Sequence, residues 1–132
     1  TDKYITLFEH EFVRNFIHIQ DVSSVFEVMI ENYDTYQGEI FNVGLSDTNI
    51  NKKELVEKIQ THIKGTSVNY SNYFVDPDKR DYVVSNEKIE STGWRPQYSL
   101  DDGIKELIGA YQMIAPQESS HFRNALPMSY GI

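Results

Sequence analysis

The sequence predicts an α/β fold, because short segments of alternating apolar residues lie between segments whose apolar residues recur at helical spacing. The predicted strands are few and short. Strands of this kind do not readily form a free-standing parallel sheet with both faces covered. We therefore expect a piece of a larger α/β fold, in which short strands alternate with amphipathic helices.

Two strands and a helix are predicted in the N-terminal part of the chain. Residues 4–8 alternate well enough for a short strand, and residues 16–19 for a second one. Asp21 has a side chain typical of a helix N-cap. The apolar residues that follow recur every three or four positions and form one stripe, namely Val22, Val25, Phe26, Met29, Ile30 and Tyr33.

The middle of the chain predicts a turn, a strand and a second helix. Residues 34–38 read as the turn, and residues 39–43 as a compact strand. Asn51 is the predicted N-cap of the helix, and Glu54 at the third helical position completes a capping box. Gly65 is expected to end this helix. Its buried face is predicted to contain Leu55, Val56, Ile59 and Ile63.

The next segment is predicted to be mostly extended. Residues 68–75 are rich in Tyr and Asn and read as an extended stretch, and residues 76–81 read as a charged loop. Residues 82–84 read as a very short strand. Ser85 or Asn86 is the expected cap of a short helix that follows.

A last helix closes the predicted fold. Gly93 ends the short helix before it, and Ser99 with Asp102 predicts a second capping box. The apolar stripe of the last helix consists of Ile104, Leu107, Ile108 and Tyr111. The pattern stops near Ala115, so we expect one structured portion over residues 1–114 and a C-terminal tail over residues 115–132.

Composition disfavours several classes of protein. With 132 residues, 39% of them hydrophobic, the chain suffices for one modest domain with a packed core. The net charge of −8 repels nucleic-acid backbones and disfavours DNA or RNA as partners. No apolar run reaches about 18 residues, so we expect no membrane-spanning helix. The absence of cysteine excludes disulfides and thiolate chemistry and fits a cytoplasmic location.

Two arginine segments supply the candidate functional residues. Arg14 begins a segment that runs to Asp21, and Arg80 lies in the predicted charged loop. Arginine is always charged and can grip a phosphate with two parallel hydrogen bonds. Such short-range contacts outweigh screened repulsion from distant acidic groups. The sequence therefore predicts an anion site suited to a nucleotide diphosphate, without a recognisable catalytic group beside it.

The histidines are interpreted as structural. His18 is expected to face inward from a strand and to fix the turn towards Asp21. His10, His62 and His121 share no metal-ligand spacing with it, and no cluster of histidines and carboxylates accompanies them. We therefore expect no metal site.

Six short motifs give the chain a recognisable order. They are Arg14-x-Phe-Ile-His-x-x-Asp21, Phe41-Asn-Val-Gly44, Lys53-Glu-Leu55, Arg80-Asp-Tyr-x-x-Ser85 with Lys88-Ile89, Gly93-Trp94-x-Pro96 and Leu100-x-Asp-Gly-Ile104. In this order the chain resembles the C-terminal, substrate-binding part of NAD-dependent nucleotide-sugar epimerases and dehydratases. These enzymes are extended short-chain dehydrogenases/reductases, and the resemblance covers most of the chain, from about residue 5 to residue 113.

The resemblance implies a function and a set of site residues. Enzymes of this family join a Rossmann domain that holds NAD or NADP to a smaller C-terminal domain that holds the nucleoside diphosphate of the sugar. Arg14 and Arg80 match arginines that contact the diphosphate. Asp81 lies near an acidic position that contacts the nucleotide ribose, although in many relatives that carboxylate lies a few residues further on. Residues 41–43 match a strand that returns to the Rossmann sheet.

Two motifs of the complete enzymes are missing from the sequence. No Gly-x-x-Gly-x-x-Gly loop is present to approach the pyrophosphate of NAD, and no tyrosine is followed by a lysine four residues later. We therefore expect a chain that is inactive and binds no cofactor alone, with the missing Rossmann half as its partner. Epimerisation, dehydration and 4-keto reduction all stay open, as do the base, the sugar and a homo-oligomeric state. The alternative is a non-catalytic protein-interaction module derived from this fold.

Overall fold

Two separate two-stranded sheets and several helices form the part of the chain that the computed structural model describes, which comprises residues 4–71, 73 and 79–114. In chain order the elements are β1 (Tyr4–Leu7), β2 (Val13–Asn15), α1 (Ile19–Glu31), α2 (Tyr33–Tyr36), β3 (Asn49–Asn51), α3 (Lys52–His62), β4 (Ser67–Tyr70), α4 (Glu87–Glu90) and α5 (Leu100–Met113). The predicted α/β class is confirmed. The predicted tail, residues 115–132, and the loop residues 76–78 lie outside the described residues.

The two sheets differ in their pairing. Strands β1 and β4 run parallel, with Tyr4 opposite Ser67 at one end. Strands β2 and β3 run antiparallel, with Val13 opposite Asn51 and Arg14 opposite Ile50. The second pair places Arg14 in the centre of a short antiparallel ladder, opposite one residue of β3.

Three predicted strands are wrong. Residues 16–19 are not a strand, because the chain leaves the sheet after Asn15 and the first helix begins at Ile19. Residues 39–43 form no strand, since no described strand lies beside them to complete a hydrogen-bond ladder. Residues 82–84 also lack a continuous ladder, although Tyr82 N donates to Val13 O over 3.0 Å. A strand requires a partner, and local alternation does not supply one.

Helix α1 begins three residues earlier than a cap at Asp21 would allow. His18 is its N-cap, with extended backbone angles and with Nδ1 accepting a hydrogen bond from Gln20 N over 3.2 Å. The predicted cap at Asp21 is therefore wrong, as is the predicted strand role of His18. Asp21 is instead the third residue of the helix and is only 1% exposed.

The main core forms where α1 packs against the loop after α4. Its buried members are Val25, Ile89 and Trp94, and the indole Nε1 of Trp94 donates to Ser24 Oγ over 2.9 Å. The predicted stripe of α1 is buried only in part, because Phe26 is 66% exposed and Ile30 is 74% exposed. One side of the apolar stripe thus packs inward while the other remains on the surface.

The capping predictions for α3 and α5 are confirmed. Asn51 Oδ1 accepts from Glu54 N while Glu54 Oε2 accepts from Asn51 N, and Ser99 and Asp102 make the same reciprocal pair. Asn86 precedes α4 as predicted, but its side chain makes no capping hydrogen bond. A short helix, α2, replaces most of the predicted turn at residues 34–38. No described helix is long and apolar enough to cross a membrane.

Candidate anion-binding site

Arg14 reaches from strand β2 to the loop that carries the second predicted arginine. Its Nη1 atom donates to Val13 O over 2.8 Å and to Arg80 O over 2.6 Å. The two residues are 66 positions apart in the chain. The fold therefore brings both predicted arginines to one place.

Asp81 fastens the arginine loop to the strand. Its Oδ1 atom accepts a hydrogen bond from Val13 N over 2.8 Å, while the N–H of the next residue, Tyr82, donates to Val13 O. Both backbone groups of Val13 are thus used to hold residues 81 and 82. This anchoring restricts where the exposed side chain of Arg80 can point.

The ring of Tyr82 contacts both arginines. The guanidinium carbon of Arg14 is 4.9 Å from the centroid of the Tyr82 ring, and that of Arg80 is 5.2 Å from it. Both distances fall within the range of a cation–π contact. Tyr82 is a member of the fourth sequence motif and of the predicted strand at residues 82–84, but neither feature predicts a role for it in the site.

A pair of asparagines supports the strand and the loop from behind. Asn15 Nδ2 donates to Leu45 O over 2.9 Å and to Asn49 Oδ1 over 3.1 Å. Asn49 exchanges two hydrogen bonds with the backbone of Val84, at 3.0 Å and 2.9 Å. The side-chain amide of Asn49 thus forms the hydrogen bonds that the backbone of Val84 would otherwise make with a neighbouring strand. These bonds anchor the loop after Arg80.

The loop at Gly44 approaches Asn15 very closely. A Cβ atom at Gly44 would lie 2.2 Å from Asn15 Oδ1 and 3.1 Å from Asn86 Oδ1. Asn86 is 2% exposed, and its Nδ2 donates to Ser46 Oγ over 3.3 Å. Only a residue without a side chain allows the backbone this close to Asn15.

Two lysines adjoin the segments that carry the site: Lys79 precedes Arg80 in the chain, and Lys52 follows Asn51, the residue opposite Val13. Lys79 Nζ lies 2.8 Å from Glu9 Oε1, and Lys52 Nζ lies 5.0 Å from the centroid of the Phe8 ring. Lys79 is thus paired with a carboxylate, and the chain as a whole has a net charge of −8. Guanidinium groups can bind an oxyanion, but they do not act as a nucleophile or a general base at neutral pH.

His18 lies away from the arginines and is held by two neighbours. Its Nε2 is 3.1 Å from Glu106 Oε2, and its ring stacks on that of Tyr98 with centroids 4.4 Å apart. These contacts join the start of α1 to α5. Within the described residues, no group of three or more histidines and carboxylates could hold a metal ion.

The pKa values of two side chains, Asp101 and Lys58, are shifted where α3 meets α5, away from the arginines. Asp101 accepts hydrogen bonds from Lys58 Nζ over 2.8 Å and from His62 Nε2 over 2.7 Å. These contacts, that of Lys58 first, lower the pKa of Asp101 from 3.8 to about 2. The same contact raises the pKa of Lys58. This cluster ties two helices together and has a structural role.

Known proteins similar to this chain include nucleotide-sugar enzymes. The dTDP-D-glucose 4,6-dehydratase of Homo sapiens is 30% identical over 129 residues, which cover 83% of this chain and 35% of that enzyme. The UDP-D-apiose/UDP-D-xylose synthase 2 of Arabidopsis thaliana is 30% identical over 112 residues, covering 72% of this chain and 28% of that enzyme. No protein-family model matches the chain.

Solved structures agree with these relatives. The dTDP-glucose 4,6-dehydratase of Bacillus anthracis, crystallised in complex with NAD, superposes with a TM-score of 0.67 at 26% identity, covering 83% of this chain and 35% of that one. RMD from Pseudomonas aeruginosa, complexed with NADPH, has a TM-score of 0.66 at 18% identity, covers 85% of this chain and 37% of that one, and supports the fold alone.

The fold is therefore a part of the extended short-chain dehydrogenase/reductase fold. The homologues and structural neighbours are NAD-dependent nucleotide-sugar enzymes of that family, which confirms the resemblance carried by the six motifs. The chain spans about a third of the length of the curated relatives it matches, since it covers 35% of the human enzyme.

Proposed function

We propose that this chain is the substrate-binding portion of an NAD(P)-dependent nucleotide-sugar epimerase, dehydratase or 4-ketoreductase. Residues 1–114 form that portion, and Arg14 and Arg80 bind the diphosphate of a nucleoside-diphosphate sugar. The observation that carries the proposal is the meeting of these arginines at one aromatic ring, 4.9 and 5.2 Å from its centroid. Nucleotide-sugar enzymes among the relatives support the choice of ligand.

The role of the two arginines in such an enzyme is positioning. A diphosphate held by charged hydrogen bonds fixes the attached sugar at one distance and orientation from the reacting groups, and this orientation lowers the entropic part of the barrier. Asp81 is the third proposed member of the site and is suited to accept a hydrogen bond from a ribose hydroxyl. No catalytic residue is assigned to this chain.

The described residues do not fit NAD or NADP. The long helices begin at caps His18, Asn51 and Ser99, and none of these starts is a glycine-rich turn. Such a turn is what allows a backbone to approach the pyrophosphate of the cofactor. We therefore propose that a Rossmann half outside this sequence supplies the cofactor site.

Titration calorimetry with nucleoside diphosphates tests the proposed ligand. UDP, GDP, CDP and dTDP are titrated into the chain, and the tightest binder is repeated with Arg14→Ala and Arg80→Ala. Each variant should lose about 1.5–3 kcal/mol of binding free energy, the contribution of a hydrogen bond to a charged group. Arg95→Ala is the matched control, because Arg95 donates to Trp94 O, outside the site. Equal affinity of all four proteins would refute the assignment.

The second candidate function is a protein-interaction module. The observation that favours it is the apolar surface on and beside α1, where Ile30 is 74% exposed and Ile40 is 84% exposed. Exposed apolar patches of this kind mark contact surfaces. If the chain binds no nucleoside diphosphate but Ile30→Glu converts a self-associated species into a monomer in light scattering, the module is the better description.

A further inference from the structure

Both arginines of the proposed diphosphate site contact the same aromatic ring. The guanidinium carbons of Arg14 and Arg80 lie 4.9 Å and 5.2 Å from the centroid of Tyr82. The face of an aromatic ring carries negative charge density, and it attracts a cation placed over it. One ring therefore attracts two cations that would otherwise repel each other.

The backbone around Tyr82 is anchored to strand β2. Tyr82 N donates to Val13 O over 3.0 Å, and the preceding residue, Asp81, accepts from Val13 N over 2.8 Å. Val13 immediately precedes Arg14 in β2, where it pairs with Asn51 of β3. The backbone that carries the ring is thus anchored to the same strand that carries the first arginine.

The tyrosine is also accessible enough to take part in a site. It is 38% exposed, and the side chain of Arg80 beside it is exposed as well. A ligand that approaches the two guanidinium groups therefore meets them at the protein surface, where loss of order in either side chain would reduce the affinity.

We infer that Tyr82 is the positioning residue of the diphosphate site: its ring contacts the guanidinium groups of Arg14 and Arg80 and orders both of them for the binding of a diphosphate. The inference rests on the proposed function and gives Tyr82, a member of the fourth motif, a role in the site. Two like charges that contact one ring repel each other, and the negative face of the ring offsets part of this repulsion. Tyr82 thereby makes the site preorganised, and it needs no direct contact with the ligand.

We expect the aromatic ring of Tyr82, and not its hydroxyl group, to position the arginines. Two substitutions distinguish the contribution of the ring from that of the hydroxyl group. Tyr82→Phe retains the aromatic face and Tyr82→Leu removes it while keeping an apolar side chain. Calorimetry with inorganic pyrophosphate should show a roughly three- to tenfold weaker affinity for Tyr82→Leu and wild-type affinity for Tyr82→Phe. Tyr33→Leu is the matched control, since Tyr33 is an exposed tyrosine at the start of α2, outside the site.

A second measurement reports the contacts without any ligand. The arginine side-chain protons of wild-type protein and of Tyr82→Phe should show ring-current shifts in NMR spectra, and Tyr82→Leu should lose them for both arginines. Retained folding of each variant is read from the remaining amide signals.

The outcomes distinguish the two proposals. If the wild-type chain and Arg14→Ala bind pyrophosphate and nucleoside diphosphates equally, the proposed function fails and this inference fails with it. If Arg14→Ala weakens binding while Tyr82→Leu leaves it unchanged, the proposed function stands and the role of Tyr82 is refuted. Loss of affinity in Tyr82→Phe equal to that in Tyr82→Leu would also refute it, because the hydroxyl would then be the active group.

Discussion

The carboxylate of Asp21 accepts a hydrogen bond from the backbone N–H of Gln97 over 2.8 Å, across 76 residues of sequence. Its other oxygen accepts from Tyr98 N over 3.1 Å. These bonds hold the segment before α5 against the first turn of α1, close to Trp94 and the core. A buried carboxylate with two N–H donors from a distant loop has a tertiary role, and a helix cap would not produce these contacts.

Replacing Asp21 should therefore destabilise the fold. Asp21→Ala leaves two buried N–H groups without an acceptor, and we expect a loss of about 2–4 kcal/mol in the free energy of unfolding. Urea denaturation followed by circular dichroism measures this loss. Asp34→Ala, at an exposed position of α2, is the control and should change the free energy of unfolding by less than about 0.5 kcal/mol. Equal denaturation midpoints for both variants would contradict the structural role.

Gly44 should not tolerate even a methyl group. A Cβ atom would lie 2.2 Å from Asn15 Oδ1, so Gly44→Ala must displace the asparagine that supports β2 and β3. We expect a destabilisation of about 1–3 kcal/mol in thermal or urea unfolding.

Gly109 provides the matched control for this substitution. It lies in α5, and a Cβ atom there would meet nothing within 4 Å. Gly109→Ala should stabilise the protein by up to about 1 kcal/mol, because alanine has the higher helix propensity. A Gly44→Ala variant as stable as Gly109→Ala would show that Asn15 does not restrict the loop.

Asp81 is predicted to have two separable roles. Asp81→Asn keeps an oxygen that can accept from Val13 N, whereas Asp81→Ala removes it. If the carboxylate also contacts the ribose, Asp81→Asn should bind the preferred nucleoside diphosphate more weakly without losing affinity for inorganic pyrophosphate. Asp81→Ala should weaken the binding of both, since Arg80 then loses its anchored loop. Calorimetry with the two ligands distinguishes these cases, and identical affinities in all variants would remove Asp81 from the site.

Asp101 predicts an acid-dependent change in stability. Its pKa is about 2 in the folded chain and 3.8 without its partners, so its contribution is fully present above about pH 4 and is lost as the pH falls towards 2. The stability difference between wild type and Asp101→Asn should therefore shrink over this interval, as measured by thermal unfolding from pH 5 to pH 2. Lys58→Met should reduce the same difference, because Lys58 is the largest cause of the shift. A difference that is independent of pH would contradict the prediction.

Local features were predictable because neighbouring residues create them. The capping boxes at Asn51 and at Ser99 involve residues three positions apart, and such contacts form within one helical turn. The strand at residues 39–43 was predicted wrongly from equally local alternation, because its hydrogen bonds require a partner strand that the described residues do not contain.

The sequence by itself determined the α/β class, the two capping boxes and the resemblance to nucleotide-sugar enzymes. It also supplied the proposal that Arg14 and Arg80 bind a diphosphate. All of these depend on residue type and on spacing along the chain. Only the tertiary structure decided that Asp21 binds a segment 76 residues away and that Tyr82 joins the two arginines. The physical reason is that hydrogen bonds and cation–π contacts depend on distances in space, and the folding of separate segments against one strand sets those distances.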